Sequence, residues 1–358
     1  MNHTNILSKS GRKRILSCLL LALLCVSMLL PLSGCGEAKM SQKQVFAMDT
    51  IMTLTAYGKN AENGLNAAQA VISSLDVMLD PESSTSTTYA INTANGENVA
   101  ISGQVAKMLT DAKLVYDRSG GALDLTIYPL VKLWGFIDSK YYLPSNEEIL
   151  SELPKLCFDK LTITSFPSSG SFAVSLPAGA QLSFGAVAKG CAAENAIEAM
   201  RQSGVESGIV SLGGNVQTLG LKPDGTNWNI AVQDPNNTAS HLGVLSLGEA
   251  AVVTSGSYQR FFEAIDGKTY HHIINPSTGY PSANNLVSMT VVCEDGTMAD
   301  CLSTAMFVLG ENKALNYWRT YGGFEMIMVN KDNEIICTKG LLEKFTLSND
   351  NYKLKFIE

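Results

Sequence analysis

The order in which strand-like and helix-like segments arrive constrains this chain more than any other feature. Stretches rich in Val, Ile and Thr with a period of two are interleaved irregularly with stretches of helical period. The strict strand–helix–strand rhythm of a doubly wound parallel sheet is missing. Residues 45–57 read as a strand and residues 61–78 as a helix with Asn60 as its cap. Residues 80–98 read as a polar loop with one helical turn near 89–92. Residues 102–119 read as a helix capped by Ser102 and stopped by Gly120-Gly121. Short antiparallel strands are expected over 161–163, 171–176 and 181–184, then a helix over 192–203. Residues 208–219, 227–233, 244–255, 270–274 and 286–292 read as extended. Helices over 298–309 and 313–321 and strands over 324–329 and 334–338 close the chain. This order predicts an α+β fold, one domain of mixed, largely antiparallel sheets packed with helices over residues 45–358.

The first 34 residues read as a processing signal rather than as fold. Lys9, Arg12, Lys13 and Arg14 form a basic start, and residues 15–30 are an apolar run too short for a comfortable membrane span. Leu32-Ser33-Gly34-Cys35 follows Pro31, and small residues before a cysteine at this point resemble a bacterial lipobox. Cleavage before Cys35 and lipidation of its thiol are expected, with an ordinary cleavable signal as the alternative. Residues 36–44 read as a tether, which places the mature protein on the outer face of the cell membrane. The formal charge is −7, and after residue 34 the chain holds 22 bases against 33 acids. Such an acidic body argues against nucleic acid as a partner. Of eight cysteines, Cys157, Cys191, Cys293, Cys301 and Cys337 remain beyond Cys35, without a CxxC pair, so a zinc cluster is not expected.

Four segments carry more glycine and polar content than packing requires. Residues 185–190 (GAVAKG) lie between a strand and a helix, where backbone N–H groups and the helix dipole favour a phosphate and Lys189 adds a charge. A tight connection explains the same residues without function. Ser211-Leu212-Gly213-Gly214-Asn215 interrupts a strand, which a simple bulge also explains. Residues 271–281 (HHIINPSTGYP) hold two of the four histidines beside a Pro/Gly turn, and His272 is a candidate proton carrier. Asp300, Ser303 and Thr304 share one helix face at i, i+3 and i+4, a hard oxygen set suited to Mg²⁺. The alternative is Asp300 as a cap, with Ser303 and Thr304 bonded back to helix carbonyls.

Together these segments resemble the ApbE-type FAD:protein FMN transferases, flavin transferases that are often bacterial lipoproteins. The motifs that carry the resemblance are Met48-Asp49-Thr50, Gly121-Ala122-Leu123-Asp124, residues 129–136 (PLVKLWGF) and residues 185–190. Leu212-Gly213-Gly214-Asn215, Thr254-Ser255-Gly256, His272-Ile273-Ile274-Asn275-Pro276 and residues 299–305 (ADCLSTA) follow in order. The resemblance implies a single catalytic domain in which Met48, Ala122, Leu123, Asp124, Ser183, Lys189 and Ile274 line a site for FAD, the substrate. It implies Mg²⁺ held by the Ala186 carbonyl, Asp300 and Thr304, with Ser303 nearby, and His272 in catalysis. It further implies transfer of FMN to a Thr or Ser of an exported acceptor protein of a membrane electron-transfer system, with release of AMP. The chain departs from the family pattern at Asp49 for Gly, at Ser183 for Asp and at Asn275 for Asp, and 80–86 has no counterpart of the family's tyrosine. These departures leave the metal-facing oxygens intact. Two rival readings are an FAD-cleaving lipoprotein that releases FMN and AMP and a solute-binding lipoprotein, which would show parallel-sheet lobes.

Overall fold

The computed structural model describes residues 38–358, so the signal segment and Cys35 lie outside the described residues. The chain opens with β1 (Met40–Ala47) and β2 (Thr50–Tyr57), then α1 (Ala61–Leu79), α2 (Thr87–Thr93) and β3 (Val99–Ile101). Next come α3 (Gly103–Ser119), α4 (Tyr128–Leu133), α5 (Asn146–Glu152), β4 (Thr162–Phe166) and β5 (Ser171–Ser175). They lead to α6 (Ala188–Gln202), β6 (Gly208–Leu212), β7 (Asn215–Leu219), β8 (Trp228–Asp234) and β9 (Asn237–Leu247). β10 (Ala251–Gly256), β11 (Phe261–Glu263), β12 (Thr269–His271) and β13 (Leu286–Cys293) precede α7 (Gly296–Leu309) and α8 (Glu311–Tyr321). The chain closes with β14 (Glu325–Asn330), β15 (Glu334–Thr338), β16 (Phe345–Leu347) and β17 (Lys353–Ile357).

The expected α+β class is what the chain forms. A nine-stranded sheet runs in the order β1-β2-β6-β7-β10-β13-β14-β15-β17, antiparallel at every pair except β15–β17. Its two faces are written in period two. Met52, Leu54, Val210, Val253, Met289, Val291 and Met328 point into the main core with α1, α3, α6 and α7. Val252, Val292, Ile327, Val329 and Ile335 point the other way, onto the small sheet β16-β9-β8. α7 is buried on almost every side, Asp300 and Ser303 included, while Thr304 is only half-buried.

Several boundaries differ from those the sequence implies. Residues 45–57 are not one strand but a hairpin that already begins at Met40, inside the expected tether. Met48 and Asp49 form its two-residue turn, both at positive φ (49° and 58°), the geometry that matches hairpin twist. Residues 208–219 and 244–255 likewise split, at Gly213-Gly214 and at residues 248–250. Residues 181–184 form no strand; Asn92 instead holds Leu182 through both its main-chain groups, at 2.7 and 2.9 Å. Asn60 gives no side-chain cap to α1 and donates to Gly204 O across the fold. Asp295, not Asp300, caps α7, accepting from Met298 N at 2.8 Å.

Candidate functional site

The first turn of α6 is tied to α7 by one carboxylate. Val187 N and Ala188 N both donate to Phe184 O, which closes the turn that launches the helix. The Gly190 N–H, one of the first-turn donors of α6 that have no acceptor within the helix, donates to Asp300 Oδ2 at 2.8 Å. Among the described residues Ala186 O receives no hydrogen bond and stays free as a donor of electron pairs. The approach of α6 to α7 depends on two glycines. A Cβ on Gly190 would lie 2.1 Å from Gly296 O, and one on Gly296 would lie 2.8 Å from Gly190 O. Only glycine admits that contact.

Asp300 is 5% exposed. Burial pushes its carboxyl pKa up, opposed by the Lys189 charge and by the Lys189 and Gly190 N–H groups. The buried Asn215 amide faces the same carboxylate, yet its Nδ2 finds no partner at hydrogen-bond geometry. Below Asp300, Ser303 Oγ donates to Asp300 O at 3.0 Å, so the back-bonding alternative holds for its proton. Its lone pairs face Ser255 Oγ at 2.8 Å, and Ser255 Oγ lies 3.3 Å from Thr304 Oγ1. Ser255, on β10, is an oxygen of this cluster that its motif signalled without assigning it a role. Lys189 Nζ lies 3.5 Å from Gly213 O, and Thr50 sits beneath Gly213, where a Cβ would be 2.7 Å from its Oγ1. The turns at 48–49 and 213–214 thus flank the α6 start. Met48 itself is fixed by its N–H donating to Asp76 Oδ1 at 2.7 Å.

The two histidines separate by their bonds. His271 Nε2 lies 3.1 Å from Ser282 O and its Nδ1 accepts from Ile273 N, so both nitrogens are engaged; its ring stands edge-on to Phe307. His272 Nδ1 lies 3.2 Å from Arg260 O. A carbonyl only accepts, so Nδ1 carries the proton and Nε2 keeps its lone pair. Burial, then the Arg260 guanidinium, with His271 and Lys189 contributing, push the His272 pKa down to about 3. The imidazole is neutral at neutral pH and offers Nε2 as a base.

The remaining sequence-derived positions are held by packing and by local hydrogen bonds. Ala122 and Leu123 are buried, and Asp124 Oδ1 accepts from Thr126 N and Oγ1 at 2.7 and 2.5 Å, which holds a turn together. Burial raises the Asp124 pKa. Ser183 ties this segment to the α6 turn, its N–H donating to Leu125 O at 2.9 Å and its Oγ accepting from Gly185 N at 3.2 Å. Ile274 is buried in a cluster with Leu130, Trp134, Phe136 and Ile149. An open cleft of about 830 Å³ lies elsewhere, between the β8–β9 hairpin and residues 348–352, and contains none of these residues. Its one buried carboxylate, Asp234, is consumed by Tyr352 OH, Asn349 Nδ2 and Asn236 N.

No three His, Cys, Asp or Glu side chains among the described residues are placed to share a metal. The oxygen set at the α6–α7 contact fits a hard cation all the same. It offers a carbonyl without a donor, a buried carboxylate and hydroxyls, which is Mg²⁺ chemistry rather than zinc chemistry. The five described cysteines are free thiols, four of them buried.

The fold is of a class already known from solved structures. The chain superposes on the ApbE protein of Thermotoga maritima with a TM-score of 0.77 and 27% identity, covering 85% of this chain and 98% of the other. It superposes on the apo flavinyl transferase ApbE of Pseudomonas stutzeri with a TM-score of 0.76 and 27% identity, covering 87% and 98%. An FAD:protein FMN transferase of Treponema pallidum is 28% identical over 338 residues, which span 89% of this chain and 93% of that relative. One of Klebsiella pneumoniae is 33% identical over 271 residues, spanning 74% and 81%. The family model for ApbE matches residues 48–328. This chain belongs to the ApbE family.

Proposed function

We propose that the chain is an FAD:protein FMN transferase that moves FMN from FAD to a hydroxyl of an exported acceptor protein. The names of its relatives support the activity, and one observation carries the site: the Asp300 carboxylate bonded to the Gly190 N–H at the start of α6. Ala186 O, Asp300 and Thr304, with Ser303 and Ser255 behind them, would hold Mg²⁺. When bound, that ion neutralises charge on the FAD diphosphate.

The chain's own residues do the rest. Lys189 meets the diphosphate at the α6 start, where its positive charge and the helix dipole favour it. His272 Nε2 accepts the proton of the acceptor Thr or Ser hydroxyl as its oxygen bonds to the FMN phosphorus. The bond from that phosphorus to the bridging oxygen breaks, and AMP leaves with the electron pair. A base with a pKa near 3 in the free protein is weak. The negative diphosphate of bound FAD opposes the positive field of Arg260 and Lys189, raising the imidazole pKa when the base is needed.

Cys35 would carry a lipid that holds the protein on the outer face of the membrane, which suits an exported acceptor. Incubation of the protein with FAD, Mg²⁺ and a Thr-bearing acceptor, followed by mass spectrometry, should show one added FMN on the acceptor. Equal formation of free FMN and AMP with and without acceptor would instead mark an FAD hydrolase. Cys35→Ser should move the protein from the membrane fraction to the soluble one; an unchanged distribution would reject the anchor.

A further inference from the structure

We propose that Arg260 is a positioning residue that clamps the His272 imidazole between its own main chain and the segment around Phe136, a role that rests on His272 accepting the acceptor's proton. Arg260 lies between β10 and β11, and its carbonyl does two things at once. It accepts from His272 N at 3.1 Å and from His272 Nδ1 at 3.2 Å. One oxygen thus fixes both the backbone and the ring of the same residue, and with the ring its tautomer. A carbonyl can set a ring only as firmly as its own peptide is set. That firmness comes from the other end of Arg260, where the guanidinium Nη2 donates to Phe136 O. The Phe136 ring, buried, stands edge-on to the imidazole with centroids 6.3 Å apart. His272 is therefore held by Arg260 O on one side and by Phe136 on another, and Arg260 ties the two holders together.

The charged and titratable groups that act on the ring are Arg260, His271 and Lys189, and all three disfavour its protonation. Loss of the Arg260 side chain removes the tie and part of that field, leaving the carbonyl in place but loosely aimed. A base displaced by about 1 Å costs up to a hundredfold in rate.

The test compares Arg260→Met, Arg260→Lys and His272→Ala for FMN transfer to a Thr-bearing acceptor, together with Arg260→Met in the His272→Ala background. Arg260→Met should lower kcat about tenfold to a hundredfold with KM for FAD within about twofold. Lys at 260 keeps a charge and one donor for Phe136 O and should restore most of the rate. Against the residual rate of His272→Ala, Arg260→Met should change nothing further. Imidazole ¹⁵N shifts should show the Nδ1–H tautomer in the parent protein and a mixture in Arg260→Met, while melting temperatures report whether each variant folds. Parent-like kcat and ¹⁵N shifts in Arg260→Met, beside an inactive His272→Ala, would overturn the role of Arg260 and leave the base standing. An equal loss in both backgrounds would also overturn it. Full transfer by His272→Ala would remove the base, and the clamp with it.

Discussion

Asp300 shows how a single side chain can be structural and chemical together. Its carboxylate takes the Gly190 N–H at 2.8 Å and belongs to the candidate metal site. The two roles separate by substitution. Asp300→Asn keeps an oxygen for Gly190 and loses the charge, so it should fold as the parent does while Mg²⁺-dependent transfer falls at least about a hundredfold. Asp300→Ala also strands the buried Gly190 N–H and should lose about 1–3 kcal/mol of stability in denaturant titration. Transfer by Asp300→Asn at the parent rate would reject the metal site. His272 gives a second expectation at this scale. Its folded pKa lies below the usual histidine value, so above about pH 6.5 the ring is neutral both folded and unfolded and stability does not depend on it. As pH falls below that value the unfolded chain takes up the proton and the folded one does not. Stability then drops by at most about 1.4 kcal/mol per pH unit until the folded pKa is reached. Melting curves between pH 7 and 4 should therefore be flatter for His272→Gln than for the parent, and equal slopes would contradict the lowered pKa of the folded ring.

The crossing of α6 and α7 is the element on which the site turns. Gly190 faces Gly296 O so closely that an added methyl must move backbone, which cannot give way as a flexible side chain would. Gly190→Ala should cost about 1–3 kcal/mol by overpacking and should weaken Mg²⁺-dependent activity beyond what the stability loss explains. Full activity in a destabilised Gly190→Ala would show that the crossing serves packing alone. This contact also marks where sequence reading stops. The i, i+3, i+4 oxygens of α7 and the small residues of 185–190 are visible in one dimension because each belongs to a single element. Their meeting is not, since 110 residues separate Gly190 from Asp300. The hairpin turn at Met48-Asp49 was hidden for another reason: Met seldom adopts positive φ, so the pair lacks the Asn-Gly or Asp-Gly signal. Gly213-Gly214 did carry a turn signal, but a bulge satisfies the same residues. Arg260 left no trace because its main task falls to a carbonyl, which every residue has.

At the scale of the molecule, the sheet order explains why the alternation of elements was legible and the N-terminal boundary was not. Strands covered on both faces read as nearly continuous apolar and branched runs, as in 286–293 and 325–330, which still mark them as extended. β1 is an edge strand with little to bury: Met40 and Phe46 are exposed, and residues 40–44 read as a polar tether. It is nevertheless paired along its whole length, Met40 opposite Tyr57 through Ala47 opposite Thr50. Two truncations distinguish the boundaries. A chain starting at Lys39 keeps every β1 pairing and should melt with the full chain. A chain starting at Val45 loses the partners of Thr53 to Tyr57 and uncovers one side of β2. Each ladder bond lost costs about 0.5–1.5 kcal/mol, so the shorter form should melt several degrees lower and bind more of a dye for exposed apolar surface. Coincident melting of the two would mean that residues 39–44 behave as the tether the sequence implied. A lower melting point for the form starting at Val45 alone assigns the strand to the fold and places the start of the catalytic unit before Met40.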